Sequence, residues 1–233
     1  MIKVGLTGNR YSGKDRVAKL FEQISIPVFN ADVILKFILQ YNLDIDKQIK
    51  VQLGSSIFDL SGHLDPQKFN TTEKFNRLMD IVEPELFKAY EKFQLKHPES
   101  IYCIFHSSIL FERDWNKEMD YTITTFSPKK DRIQRANSVE PVLLTSVIYD
   151  LMSKEIEDLE KNKLSTYIVH NYEGTIDITK QIDGIDQQII DRYLKDEQTV
   201  KINETIKSVN EITKSEDIRT RYHGKAPLNV YPL

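Results

Sequence analysis

The stretch Gly8-Asn9-Arg10-Tyr11-Ser12-Gly13-Lys14-Asp15 decides the fold of this chain. It follows an apolar segment rich in β-branched residues, Ile2 to Thr7, and it precedes a segment with apolar residues at helical spacing, Arg16 to Gln23. Strand, glycine-bearing loop and helix, in this order, are the context in which the pattern G-x-x-x-x-G-K binds phosphate. The sequence therefore predicts a phosphate-binding loop of the Walker A type over residues 8–15.

The chemistry of phosphate binding explains the spacing of this loop. Successive backbone N–H groups of the curled chain point inward at an anion, and the following helix adds its positive N-terminal end. Gly8 and Gly13 allow backbone angles and a close approach that a Cβ atom would block. Lys14 brings a point charge to the outer phosphates. The alternative is an ordinary strand-to-helix turn with a chance Gly-Lys pair.

Asp15 departs from the motif, which has Ser or Thr at this position. The usual hydroxyl is a ligand of Mg²⁺, and a carboxylate can replace it because hard cations prefer oxygen ligands. The carboxylate also brings a negative charge close to the phosphates. Either Mg²⁺ lies between Asp15 and the phosphates, or Asp15 turns away. We predict that Asp15 serves a Mg²⁺ site.

Apolar segments alternate with helical patterns along the rest of the chain. Further strands are predicted at 26–29, 101–105, 121–126 and 165–170. Helices are predicted from Asp32 onward, over 69–93 with an interruption near Glu83-Pro84, and over 129–137, 143–163, 178–194 and 200–214; residues 219–233 look irregular. This alternation favours an α/β fold, a five-stranded parallel sheet with helices on both faces.

Composition and charge exclude several classes of protein. The chain has 233 residues, enough for one sizeable core. With 32 basic against 35 acidic residues it lacks the overall positive field that would hold nucleic acid. Cys103 is the single cysteine, so a disulfide scaffold is excluded. We expect no signal peptide at the start, and no apolar run approaches the ~20 residues of a membrane helix. We expect a cytoplasmic protein with a small-molecule partner and no membrane association.

A series of short motifs, in order from residue 1 to about 190, resembles the dephospho-coenzyme A kinase family, P-loop kinases of the nucleoside-monophosphate-kinase type. The motifs are Val4-Gly5-Leu6-Thr7-Gly8, Ser12-Gly13-Lys14, Val17-Ala18-Lys19-Leu20-Phe21, Ile26-Pro27-Val28, Ala31-Asp32, Gly62-His63-Leu64-Asp65, Ile81-Val82-x-Pro84, Leu110-Phe111-Glu112, Arg135 and Tyr167-Ile168-Val169-His170-Asn171. The resemblance implies a kinase domain over 1–195, with a helical acceptor-side insertion at about 40–95 and a lid at about 130–163. A C-terminal helix and irregular tail would occupy 196–233.

The family transfers the γ-phosphoryl group of ATP to the ribose 3′-hydroxyl of dephospho-CoA, a step of coenzyme A biosynthesis. The resemblance implies that residues Gly8 to Arg16 and Arg135 hold ATP with Mg²⁺, and that Lys14 takes part in catalysis. It assigns to Asp32 the orientation or deprotonation of the attacking hydroxyl. Asp32 lies where ligands bind in open α/β sheets, although Asp also suits a helix N-cap, and the two roles are compatible. His106 is a candidate contact to phosphate or substrate at the end of the third strand.

Several positions depart from the family pattern. Asn30 replaces the first Asp of an Asp-Ala-Asp motif, and His106-Ser107-Ser108 stands in place of Asp-x-Pro. Glu83 stands where the family usually has His. The lid lacks a second arginine, with Val139 nearest to that position. The charged run Glu155 to Glu160 is most simply interpreted as a solvated helix face.

These departures keep two alternatives open. Phage deoxynucleoside monophosphate kinases often carry Gly-Lys-Asp in the phosphate loop, as Gly13-Lys14-Asp15 does here. The depleted lid and Asn30 favour a catalytically impaired nucleotide-binding protein of the same fold. The intact Lys14 and Asp32 oppose that second alternative.

Overall fold

The computed structural model describes residues 1–59, 64–65, 68, 71–140, 152 and 154–223. The strands are β1 Ile2–Thr7, β2 Val28–Asn30, β3 Tyr102–His106, β4 Tyr121–Phe126 and β5 Tyr167–His170. The helices are α1 Lys14–Gln23, α2 Ala31–Tyr41, α3 Leu43–Leu53, α4 Thr72–Leu95, α5 Lys129–Val139, α6 Asp158–Leu164 and α7 Ile178–His223. Short 3₁₀ turns lie at Ser55–Ile57 and Trp115–Glu118.

The five strands form one parallel sheet in the order β2-β3-β1-β4-β5. The predicted five-stranded parallel sheet is therefore confirmed. β1 is central, and its Leu6 pairs with His106 of β3 on one side and Ile123 of β4 on the other. Since the carboxyl ends of parallel strands meet at one edge, the residues that follow β1, β2 and β3 come together there.

Helices cover both faces of this sheet. Tyr102 on β3 meets Phe21 of α1 edge-on, with ring centroids 6.5 Å apart. Phe105, three residues further along β3, contacts Phe87 and Tyr90 of α4 at 5.6 and 4.9 Å. Side chains an odd number of residues apart on a strand point to opposite faces. α1 and α4 therefore pack on opposite sides of β3, as predicted.

Two helices run further than the sequence predicts. α4 continues through Pro84 without the predicted interruption. Its apolar residues on both sides of Pro84 are buried together, including Val82 and Leu86, and this packing outweighs the lost backbone hydrogen bond. α7 is one helix where two were predicted, because the residues between them, 195–199, contain no Gly or Pro that would end it. It also continues through 219–223, which were predicted to be irregular.

Some predictions fall outside the described residues. These are residues 143–151 and 153 of the helix predicted over 143–163, the residues Gly62 and His63 of one family motif, and the tail from 224 onward. The described part of that predicted helix is only partly helical, because residues 154–157 are not helical and α6 begins at Asp158. The chain divides into two compact units, residues 1–185 and 186–233. α3 and α4 lie within the predicted insertion at 40–95. Among the described residues, no helix is both long and apolar enough to cross a membrane.

Candidate active site

The phosphate loop has the curled backbone that its two glycines allow. Gly13 adopts φ +94°, a left-handed conformation that other residues rarely tolerate. A Cβ atom on Gly8 would lie 2.5 Å from the Ser12 hydroxyl and 2.8 Å from the Thr125 carbonyl oxygen. Tyr11 also has a positive φ, of 60°. Residues 8–13 therefore form a tight loop between β1 and α1, at the carboxyl edge of the sheet.

Two side chains hold the middle of this loop by its carbonyl groups. Arg135 donates from Nη1 to the carbonyl oxygens of Tyr11 and Ser12, at 3.1 and 3.2 Å. Asn171 donates from its amide to the Ser12 carbonyl oxygen at 2.6 Å, and its own carbonyl oxygen accepts from Arg135. Arg135, predicted to bind ATP, therefore contacts the loop directly.

A third side chain, Arg132, holds the loop one residue earlier. Its buried guanidinium donates to the Arg10 carbonyl oxygen at 3.2 Å. The carbonyl groups of residues 10, 11 and 12 thus all face donor side chains outside the loop. The described peptide bonds include no cis bond, and in a trans peptide the C=O and the next N–H point in opposite directions. The N–H groups of Tyr11 and Gly13 therefore point away from these side chains, while that of Ser12 donates to the Asn9 carbonyl oxygen.

The N-terminus of α1 is open to an anion. Its N-cap is Gly13, and no side chain caps it. The first N–H groups of a helix have no partner within the helix, and the helix dipole is positive at this end. Ser, Thr, Asp and Asn are the preferred N-cap residues because their side chains satisfy one of these groups. An uncapped terminus preceded by a curled loop is the arrangement that holds phosphate in other proteins.

Lys14 lies between two carboxylates at this terminus. Its Nζ is 3.0 Å from Asp15 Oδ1 and 3.8 Å from Asp32 Oδ2. The Lys14 side chain is 17% exposed and that of Asp32 is 26% exposed, so both remain open to a ligand. The predicted catalytic pair is thus brought together from α1 and α2.

Asp32 is oriented by the segment that follows β3. Its carboxylate accepts the Ser107 hydroxyl at 3.3 Å and the Ser108 N–H at 3.1 Å. The interpretation of Asp32 as a helix N-cap is wrong, because Asn30 is the N-cap of α2 and accepts from the Val33 N–H. Asn30 performs the local capping, and the Asp32 carboxylate is therefore directed across the sheet edge.

Asp15 meets His106, the other residue singled out in this region. The His106 ring is buried at the end of β3, with Nε2 3.2 Å from Asp15 Oδ1. This imidazole contact, together with the charge of Lys14, holds the pKa of Asp15 well below its usual range. Asp15 therefore stays a carboxylate at any physiological pH. His106 faces Asp15 at the site edge, so its predicted contact with substrate stays a prediction.

The donor set at Asp15 suits an ion shared with phosphates. The side chain of Asp15 is 74% exposed, and its oxygens are the hard ligands that Mg²⁺ prefers. Within the described part of the chain, no group of three or more His, Cys, Asp or Glu residues could hold a metal by itself. Mg²⁺ in kinases is held by one or two carboxylates plus substrate phosphates, so these residues fit that ion.

A cleft of about 370 Å³ opens beside the phosphate loop. Arg16 and Arg135, both predicted to bind ATP, lie along it, and its other wall is the loop Asn171–Ile178 that follows β5. The predicted site residues include none from this wall. Its position after the carboxyl end of β5 is the one signal that could have predicted this wall, because loops at that edge of a sheet line ligand sites.

Two residues of the acidic run at 155–160 bind the phosphate loop. Glu155 accepts the backbone N–H of Arg10 at 2.7 Å, and Asp158 accepts the Asn9 amide at 2.7 Å. Both carboxylates also bond to Arg132, at 2.9 and 3.0 Å. The solvated-face interpretation is therefore wrong for these two residues. Nothing in the local pattern marks them or Arg132, because their role depends on contacts made across more than twenty residues of sequence.

The chain is similar to known proteins of one family. The family model described as dephospho-CoA kinase matches residues 2–177. A dephospho-CoA kinase of Clostridium tetani is 28% identical over 192 residues, covering 77% of this chain and 82% of that protein. A dephospho-CoA kinase of Aquifex aeolicus is 27% identical over 199 residues, covering 81% and 98%. The crystal structure of TT1252 from Thermus thermophilus has the same fold, with a TM-score of 0.66 at 20% identity over 82% of this chain and 97% of that one.

Proposed function

Because this chain belongs to the dephospho-CoA kinase family, we propose that it transfers the γ-phosphoryl group of ATP to the ribose 3′-hydroxyl of dephospho-CoA. One observation carries the proposal beyond family membership. The Lys14 ammonium and the Asp32 carboxylate lie 3.8 Å apart, at the uncapped N-terminus that follows the phosphate loop. A phosphate-binding cation and a group able to accept the hydroxyl proton therefore share one edge of the sheet.

The phosphate loop binds the nucleotide through its backbone. The N–H groups of Tyr11 and Gly13 face away from the outer side chains, and those of the first turn of α1 lack a side-chain cap. Lys14 adds a charge for the outer phosphates. The cleft between Arg16 and the loop after β5 adjoins this cradle, and we assign to it the rest of the nucleotide.

Asp32 acts on the acceptor. Its carboxylate accepts the hydrogen bond of the attacking hydroxyl and orients that oxygen toward the γ-phosphorus. The bonds from Ser107 and Ser108 fix the carboxylate in one direction, so little reorganisation is needed when the acceptor binds. As the new O–P bond forms and the bond to the β-phosphate oxygen breaks, the hydroxyl proton passes to Asp32.

The proposed function includes Mg²⁺, and Asp15 is the residue that would hold it. When bound, the ion neutralises charge on the transferring phosphoryl group. Asp15 would hold it directly or through water, from the position where the motif has a hydroxyl. The low pKa of Asp15 keeps its carboxylate ionised and ready for a cation.

The two alternatives make different predictions about the acceptor. A deoxynucleoside monophosphate kinase would phosphorylate a dNMP, and an impaired homologue would bind ATP without consuming it. The family match over residues 2–177 favours dephospho-CoA. An ATP-consumption assay with dephospho-CoA, each dNMP and no acceptor tests all three. We expect ATP consumption that requires dephospho-CoA. ATP consumption with a dNMP but not with dephospho-CoA, or no ATP consumption with any acceptor, would contradict the proposal.

A further inference from the structure

An ion network centred on the buried Arg132 holds the first part of the phosphate loop from outside. Arg132 of α5 contacts the Glu155 carboxylate at 2.9 Å and the Asp158 carboxylate at 3.0 Å. The Arg132 side chain is only 3% exposed. A guanidinium taken out of water is stable only where such carboxylates and further acceptors surround it.

The same network fixes both polar groups of one loop residue. The Arg10 N–H donates to Glu155 at 2.7 Å, and the Arg10 carbonyl oxygen accepts from Arg132 at 3.2 Å. The Asn9 amide donates to Asp158 at 2.7 Å and to the Ile156 carbonyl oxygen at 2.9 Å. Residues 9 and 10 therefore cannot turn without breaking hydrogen bonds to charged groups.

Arg132 lies on the carbonyl side of the loop, opposite the N–H groups that face a phosphate. The planar fork of arginine reaches three acceptors at once, which an ammonium group on a flexible stem does not. Its effect on a nucleotide is therefore indirect and depends on the shape of the loop. The Arg10 peptide is the link, because the Tyr11 N–H belongs to the same rigid plane as the Arg10 carbonyl.

We propose that Arg132 is a positioning residue for nucleotide binding, and that with Glu155 and Asp158 it holds the phosphate loop in its phosphate-binding shape. The inference rests on the proposed function, because it concerns the affinity of that same nucleotide site. It assigns to the acidic segment 155–158 a part in ATP binding, although its carboxylates repel phosphate. Ligands with phosphates depend on this network, and a ligand without phosphates does not.

The test compares Arg132→Met and Arg132→Lys with the wild-type protein. Dissociation constants are measured by calorimetry for ATP and by competition for adenosine, and kcat is measured with dephospho-CoA. For Arg132→Met we expect ATP binding to weaken by about tenfold or more, the effect of losing charged hydrogen bonds, while adenosine binding changes by less than about twofold. The ATP affinity of Arg132→Lys should lie between that of Arg132→Met and that of the wild-type protein. Lys130→Met is the matched control, since it removes an exposed cation from the same helix and should change neither constant.

Two results would overturn the inference: wild-type ATP affinity in a folded Arg132→Met protein, or equal losses for ATP and adenosine. Where Arg132→Met does not fold, Glu155→Gln carries the test. It keeps the size of the side chain, removes the charge that pairs with Arg132, and should weaken ATP binding without affecting adenosine. A wild-type protein that binds ATP but does not phosphorylate dephospho-CoA would contradict the proposed acceptor alone. One with no ATP affinity would overturn both proposals.

Discussion

Replacing Asp32 by Asn should abolish most turnover while leaving ATP binding nearly intact. The asparagine keeps the size of the side chain and a carbonyl oxygen for the Ser108 N–H, which lies 3.1 Å away. Asn30 still caps α2, so the helix keeps its start. Lys14 keeps its contact with Asp15 at 3.0 Å and remains in place for the phosphates.

The lost property is the ability of this side chain to accept a proton. General base catalysis contributes about 10²- to 10⁴-fold, which corresponds to roughly 3–5 kcal/mol of the activation barrier. We therefore expect kcat for Asp32→Asn to fall by about 10²- to 10⁴-fold and the dissociation constant for ATP to change by less than about threefold. A coupled ATP-consumption assay at saturating dephospho-CoA measures the first, and calorimetry measures the second.

Asp44→Asn provides a matched control, because Asp44 also lies in the first turn of a helix, α3, but is exposed. It should leave both constants unchanged. If Asp32→Asn instead retains turnover within about threefold of the wild type, the carboxylate is not the proton acceptor. Unchanged kcat with a lower thermal midpoint would assign to Asp32 a purely structural role.

Three further predictions concern the phosphate loop. Lys14→Met should weaken ATP binding by about tenfold or more without unfolding the chain, as calorimetry and a thermal melt would show; unchanged affinity contradicts the phosphate role. Asp15→Ser should raise the affinity for metal-free ATP and flatten its dependence on Mg²⁺ in a titration, whereas no change in either would remove Asp15 from the metal site. Gly13→Ala should cost about 1–3 kcal/mol in urea unfolding and abolish ATP binding, because φ is +94°. Gly184→Ala, a helical position with open space around it, should instead be neutral or stabilising by up to about 1 kcal/mol.

The phosphate loop could be predicted from sequence because its structure is local. The strand, the two glycines and Lys14 all lie within residues 2–14, and the backbone itself provides the binding groups. The sheet followed from the alternation of short apolar segments with helices. Pro84 misled the prediction of α4, because the burial of one long face decides that helix and local propensity does not.

The supporting contacts could not be predicted in the same way. Ser107 reaches Asp32 across 75 positions of sequence, and Arg132 reaches the Arg10 carbonyl across 122. Such pairs form only because the sheet order places β3 beside β2 and because α5 packs near the loop. A charge pattern such as that of Glu155 fits a solvated surface and a buried ion pair equally well until its partner is known.

The residues that depart from the family pattern, Asp15, His106 and Asn30, lie together at the carboxyl edge of the sheet. Taken singly, Asp15 in place of a hydroxyl adds a repulsive charge, and His106 in place of an acidic residue removes a carboxylate. In the structure these two residues face each other at 3.2 Å. The edge of the sheet thus keeps a carboxylate beside Lys14, supplied by α1 where the family pattern has one at the end of β3. Asn30 caps α2, and the Asp32 carboxylate instead accepts hydrogen bonds from Ser107 and Ser108. The changes therefore rearrange the site around an intact Lys14–Asp32 pair, which supports an active kinase over an impaired homologue.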